Sequence, residues 1–208
     1  MEHRPLRRHA AVLSLMTTLT AAAVETRAAT LAAYDFDAAD GSFTLDVDTL
    51  APSLSATAWQ DLDGSLTSFA GKPGRALGAR SFDNGNSLRL SLQAAAGQRL
   101  TLEHLSFDQQ ASASGPKTWA ARINGELVSS ASTTTGYTSI AIPLTLAAGT
   151  LFEISLEGSD ASSGQGTWRI DNFVLTGSTS PVPVPTALPL FGAALMGLLA
   201  RQRRAVRA

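Results

Sequence analysis

Between residues 30 and 180 this 208-residue chain has a single imidazole, His104, and it has no cysteine anywhere. A hydrolytic triad needs a histidine base beside its nucleophile and thiol chemistry needs a cysteine, so neither mechanism has its parts. No pair of histidines has zinc-ligand spacing either. Glycoside hydrolysis places two carboxylates about 5 to 9.5 Å apart across one bond. Glu153 and Glu157 share one face of a predicted strand, but four residues of strand cover roughly 13 Å. They read as a solvated face opposite Phe152, Ile154 and Leu156. The side chains favour binding or structure over catalysis, with a carbohydrate-active enzyme as the alternative.

Sugar recognition on a β-sheet protein uses exposed aromatic rings that stack on the apolar faces of pyranoses. The candidates are Tyr34, Trp59, Trp119, Tyr137 and Trp168. Trp119 and Trp168 alternate with aliphatic neighbours and are expected in the core. Trp59 in ATAWQDLDG and Tyr137 in TTTGYTS lie in polar, aperiodic stretches, and are the expected platforms.

The elements that position these residues read as strands. Leu88, Leu90 and Leu92 alternate with Arg89 and Ser91, which is the period-two pattern of a half-buried strand. Arg99 to Asp108 changes phase at Glu103-His104, the signature of a β-bulge. Trp119, Ala121 and Ile123 lead into Asn124-Gly125, the preferred type I′ hairpin turn, after which Leu127 resumes. Ile140, Ile142 and Leu144 form a strand, Phe152 to Leu156 the next, and Thr167 to Leu175 the last; Leu31 to Phe36 is the first. No stretch from 30 to 180 has a helical period. Short strands punctuated by Gly, Ser, Asn and Asp predict an all-β antiparallel sandwich. Ser159–Gly166 reads as a loop.

Both ends of the chain read as addresses. Arg4, Arg7 and Arg8 precede an apolar stretch from Ala10 to Val24 and small residues at Ala28 and Ala29, the layout of a signal peptide (1-28) cut after Ala28 or Ala29, with Ala28 favoured. The Arg7-Arg8 pair raises twin-arginine export, but ordinary secretion is the expected route. At the other end Pro181, Pro183 and Pro185 run into apolar residues from Thr186 to Ala200, then Arg201, Arg203, Arg204 and Arg207. Those 15 apolar residues make roughly 22 Å of helix against a hydrocarbon core of ~30 Å, short for a permanent span. Snorkelling arginines extend its reach and hold the C-terminus inside by the positive-inside bias. The expected organisation is a sandwich over 30-177, a linker over 178-185 and a sorting helix with a basic tail over 186-208.

Removing the ends changes the charge. The whole chain has 16 Lys and Arg against 17 Asp and Glu, but four bases precede residue 30, four lie in the tail, and only Glu2 and Glu25 among the acids go with them. Residues 30 to 180 therefore carry 8 bases and 15 acids, a formal charge of −7. Such a surface repels phosphate backbones and excludes nucleic acid as a partner. About 150 residues bury enough apolar surface to fold as one domain without disulfides.

The tail Val182-Pro183-Val184-Pro185, followed by one apolar helix and an arginine cluster, resembles the C-terminal sorting signals of the PEP-CTERM group, with Val184 in place of the eponymous glutamate as in the VPLPA variant. The resemblance implies an exported protein of the envelope or of an exopolysaccharide matrix, recognised by an exosortase-type membrane peptidase. AAYDFD, LSFDQQASASGPKTWAARING and GTWRIDNFVLTG resemble jelly-roll domains of the galactose-binding and carbohydrate-binding-module type. Extracellular polysaccharide as a partner follows from the matrix that the sorting tail's resemblance implies, and an accessory carbohydrate-binding module is one form of the alternative. The jelly-roll resemblance implies a structural calcium between the first and last strands, with Asp35 or Asp37 and Asp171 as the matching positions and backbone carbonyls near Asp35 completing the ligands. Asp171 sits between Ile170 and Phe173, where an unpartnered buried carboxylate is costly, and the adjacent Arg169 points to the opposite face.

Overall fold

The computed structural model describes residues 28–145 and 148–182. In chain order the strands are β1 (Ala29–Tyr34), β2 (Thr49–Leu50), β3 (Leu54–Ala56), β4 (Gln60–Asp61), β5 (Thr67–Ala70), β6 (Arg75–Ala79), β7 (Ser87–Ala94), β8 (Gln98–Ala111), β9 (Thr118–Ile123), β10 (Glu126–Ser132), β11 (Thr138–Pro143), β12 (Leu151–Ser159) and β13 (Trp168–Pro181). One 3-10 turn, Phe82–Asn84, precedes β7. The strands form two antiparallel sheets. The first is ordered β11-β8-β13-β1-β2, with the β5-β6 hairpin attached to β13 through β6; the second is ordered β10-β9-β12-β7-β3, with β4 also on β7. This is the expected all-β, two-sheet architecture, consistent with a jelly roll. The signal helices expected at the two ends lie outside the described residues, and among the described residues no helix is long and apolar enough to cross a membrane.

The period-two patterns decide which face each strand buries. Leu88, Leu90 and Leu92 meet Leu156, Ile154 and Phe152 across the β7-β12 pair, and all six point inward. Trp119 and Trp168 are in the core as expected. Trp168 Nε1 donates to Gln109 Oε1 at 3.1 Å and Gln109 Nε2 donates to Thr134 Oγ1 at 3.1 Å, so both ends of this fully buried amide are partnered. Asn124 (φ 52) and Gly125 (φ 80) make the β9-β10 turn with both residues at positive φ, the type I′ requirement. The bulge expected at Glu103-His104 is present: His104 pairs with Thr176 but Leu102 with Gly177, so Glu103 is the extra residue.

β13 is the spine of the first sheet. It pairs with β8 along almost its whole length, while its other edge meets β6 at Trp168–Ile170 and β1 at Phe173–Gly177. The change of neighbour falls at a second bulge. Asp171 pairs with Asp108 and Val174 with Ser106, so Asn172 and Phe173 together face Phe107, and Asn172 takes φ 48. Asn is among the few non-glycine residues that accept this region.

Three expectations change. The first strand starts at Ala29 rather than Leu31 and ends at Tyr34, because Phe36 turns to φ 62. Residues 178–181, read as linker, are the end of β13: Ser178 pairs with Thr101 and Pro181 with Gln98, and the Val182 N–H bonds to Gly97 O at 2.8 Å. Alternating Ser and Thr carry little hydrophobic signal, but a fixed neighbouring strand holds them. Trp59, read as an exposed platform, is 2 % exposed. Its ring is edge-on to Tyr34, Phe36 and Phe173 at centroid distances of 5.8, 6.2 and 4.9 Å. The polar residues around Trp59 belong to a short strand-and-turn segment whose one apolar side chain closes the core.

Trp59→Ala is therefore expected to cost about 3 to 5 kcal/mol of stability in denaturant unfolding, as for other buried aromatic truncations. A platform residue would leave the unfolding midpoint unchanged.

Candidate functional site

Two surfaces gather polar side chains, one on the outside of each sheet. On the first sheet the centre is Asp171. Strand alternation aims it outward, yet it is 1 % exposed because the Ala70–Arg75 turn between β5 and β6 lies across it. Its Oδ2 accepts the Lys72 N–H at 2.5 Å and its Oδ1 the Asn172 N–H at 2.8 Å. Asn172 Nδ2 bridges Lys72 O and Asp108 Oδ2, each at 3.0 Å, and Ser139 Oγ donates to Asp108 Oδ1. Burial pushes the Asp171 carboxyl above the usual carboxylate range against the lowering effect of the two amides, and the charges of Asp108 and Asp37 add to the rise.

The sequence-predicted metal residues divide. Asp37 Oδ1 accepts the Arg75 N–H at 2.8 Å, so Asp37 and Asp171, from opposite ends of the chain, hold the same turn. Asp35 is exposed and belongs to another group: its Oδ1 accepts the Asp37 N–H and its own N–H goes to Asp48 Oδ2 at 2.6 Å. Among the described residues no cation lies within ion-pairing distance of Asp37 or Asp171, and no three acidic or histidine side chains converge as a metal-ligand set. Two acids flanking one turn fit a calcium only if backbone carbonyls complete the shell.

Tyr137 is half-buried rather than an open platform. Its hydroxyl donates to Ala70 O at 2.6 Å, tying the loop before β11 to the same turn, and burial pushes its pKa up to about 12. Arg169 lies over the Phe69 ring at 4.7 Å and donates to Gln110 Oε1 at 3.2 Å. This first surface is closed. Of the sorting motif only Val182 is described; Pro183, Val184, Pro185 and Arg201, Arg203, Arg204 and Arg207 lie outside the described residues.

The second surface is open. On the outer face of the second sheet two adjoining hollows of about 460 and 320 Å³ share Ala120 and Ser159. Cross-strand register builds the floor in rows: Gln60, Arg89, Ser155 and Arg122 lie abreast, and beside them Ser87, Glu157, Ala120 and Ser130. Small residues at Ala120 and Ser159 make the depression; Arg89, Arg122 and Glu157 stand above it. Arg122 Nε donates to Glu157 Oε2 at 2.9 Å, and Ser155 Oγ to Glu157 Oε1 at 3.0 Å. Sequence reading placed Glu153 and Glu157 on a solvated face but missed the trough. The alternation that put Arg89 and Ser91 opposite the leucines held the signal, but the register that sets Arg89 level with Arg122 is not written in any one strand.

The trough lies in the half of the sheet away from the two ends of the described region. β1 starts beside Gly177 and β13 ends beside Gln98, so the described region begins and ends at one pole. Gly149, just before β12, bridges to Leu100 at that pole. Ser159, eight residues on from Leu151, is roughly 26 Å further along the strand.

No protein-family model and no curated protein matches this chain. Among solved structures it is similar to the CBM22-1 xylan-binding domain from Paenibacillus barcinonensis Xyn10C, with 13 % identity, 74 % of this chain and 97 % of that one covered, and a TM-score of 0.47. TmCBM27, a carbohydrate-binding module described for mannan recognition, gives 13 %, 74 %, 99 % and 0.42. TmCBM61, solved with β-1,4-galactotriose, gives 12 %, 58 %, 88 % and 0.43. The described residues themselves form an all-β, two-sheet domain.

Proposed function

We propose that this chain is an exported, non-catalytic glycan-binding protein of the cell envelope or its polysaccharide matrix, and that the trough on the second sheet is its binding surface. The observation that carries the reading is the trough itself: an open depression floored by small residues and rimmed by hydroxyl, carboxylate and guanidinium groups, the donor and acceptor set that sugar hydroxyls match. The polysaccharides named for the similar structures are in keeping with it. A structural calcium between Asp37 and Asp171, and the sorting tail with its exosortase-type peptidase, are further parts of the proposal. In this arrangement the tail holds the pole with the chain ends at the membrane before processing, and the trough points away.

The binding claim is tested by filling the floor. Ala120→Trp is expected to abolish retention in affinity electrophoresis through gels containing xylan, mannan, galactan or polygalacturonate, while leaving the melting midpoint within a degree or two. Failure of the parent protein to bind any glycan would end the reading.

The metal is tested at Asp171. Its folded-state pKa lies above the unfolded value of about 3.9, so its contribution is full below that value and is lost as the pH rises through the raised one. In chelator the parent protein should lose stability relative to Asp171→Asn as the pH rises above about 3.9. Millimolar calcium should abolish that loss and raise the melting midpoint; a midpoint indifferent to calcium and chelator removes the ion from the account.

The tail is tested in the native host by replacing Pro183 and Pro185 with alanine. The domain should fold unchanged while the intact mass of the exported product increases by the retained tail. An unchanged mature mass would contradict a sorting role.

A further inference from the structure

The side chains of the trough select among glycans, an inference that rests on the glycan-binding reading and narrows it. Among the described residues, the outer face formed by β7, β9 and β12 carries no aromatic ring: Trp119 and Phe152, on β9 and β12, point into the core. Stacking on a pyranose face is therefore not available to it. Neutral hydrogen bonds in an open hollow exchange one water contact for another and leave little net gain. Charge-assisted bonds are about twice as strong, and guanidinium receives a carboxylate through two parallel N–H groups.

Two such groups stand in the trough. Arg89 and Arg122 lie level on either side of Ser155, two strands apart, so their backbones are roughly 10 Å from one another. Their side chains are 41 % and 37 % exposed. Arg89 Nε donates to Ser87 Oγ at 3.0 Å, and its Nη1 is a loose 3.9 Å from Glu153. Arg122 is held more firmly, by Nε to Glu157 and by Nη1 to Gly125 O at 3.2 Å. The Nη2 of each makes no hydrogen bond among the described residues. Each arginine is thus fixed on its sheet side and keeps donors for something outside.

We propose that the trough takes an acidic polysaccharide, whose uronate carboxylates are received by Arg89 and Arg122. The formal charge of −7 over residues 30 to 180 disfavours anions at long range. Affinity then comes from these two contacts at close quarters, and the competing Glu153 limits it.

The test compares polygalacturonate with its fully methyl-esterified form, which keeps the backbone and removes the charge, in titrations with the full chain. Polygalacturonate is expected to bind and the ester not. Arg89→Gln and Arg122→Gln should each weaken binding about tenfold or more, with the corresponding Lys variants recovering part of it. Glu153→Gln should strengthen it, an outcome that a misfolded variant does not produce. Equal binding of both forms, or binding of the ester, xylan or mannan but not of polygalacturonate and alginate, overturns the acidic specificity and leaves the glycan-binding reading standing. Binding of none of them overturns both.

Discussion

The sandwich depends on how its central strand is held at one irregular point. β13 serves β6 with its first residues and β1 with the rest, and the transfer occurs at the Asp171-Asn172 bulge. A regular strand would carry one neighbour along its whole edge; the extra residue re-aims the chain, and positive φ at Asn172 makes the step. The Asp171 carboxylate then does two tasks, accepting the N–H of the residue that steps and that of Lys72 in the turn lying across it. Removing it would leave two backbone donors without their partners beneath a closed surface. Asp37 holds the other side of the same turn, so the segment that follows the first strand and the last strand itself are joined through the four residues Lys72 to Arg75, besides the ladder between β1 and β13.

This arrangement divides the labour between the sheets. The outside of the first sheet is spent on cohesion: the β5-β6 hairpin, Tyr137 and Arg169 cover it, and its polar groups answer each other. Among the described residues, no such cover lies over the outside of the second sheet. Its polar groups are set level by register and tied to one another through Glu157, which accepts from Arg122 and Ser155, and small residues at Ala120 and Ser159 deepen the surface where a larger side chain would fill it. Gly158, between Glu157 and Ser159 on the core-facing side of β12, is constrained from within, since a Cβ there would meet Phe82 at 2.7 Å.

Much of the fold was legible in the sequence because its signals are local. Period-two leucines, the Asn124-Gly125 turn and the phase change at Glu103-His104 each report on their own few residues, and each was found where expected. The errors arose where a distant neighbour decides. Trp59 sits in a polar stretch, but the cavity between Tyr34 and Phe173 claims it. Ser178 to Pro181 read as linker, but β8 is long enough to keep pairing with them. Asp171 was marked as a carboxylate in need of a partner, which it is; that its partners are amides from residues 72 and 172 depends on the β5-β6 turn, whose short strands carry almost no pattern. The trough was illegible for the same reason, since its rows exist only across strands.

The central claim is that glycan meets this protein on the outer face of the second sheet. Chemical-shift mapping of the isotopically labelled full chain during titration with an oligogalacturonide tests it directly. The account predicts perturbations concentrated at Arg89, Thr118 to Arg122 and Ser155 to Ser159, including the arginine Nε–H signals, with the Asp171 and Tyr137 region silent. Perturbations centred on Asp171 and Tyr137, or none at saturating oligosaccharide, would contradict it.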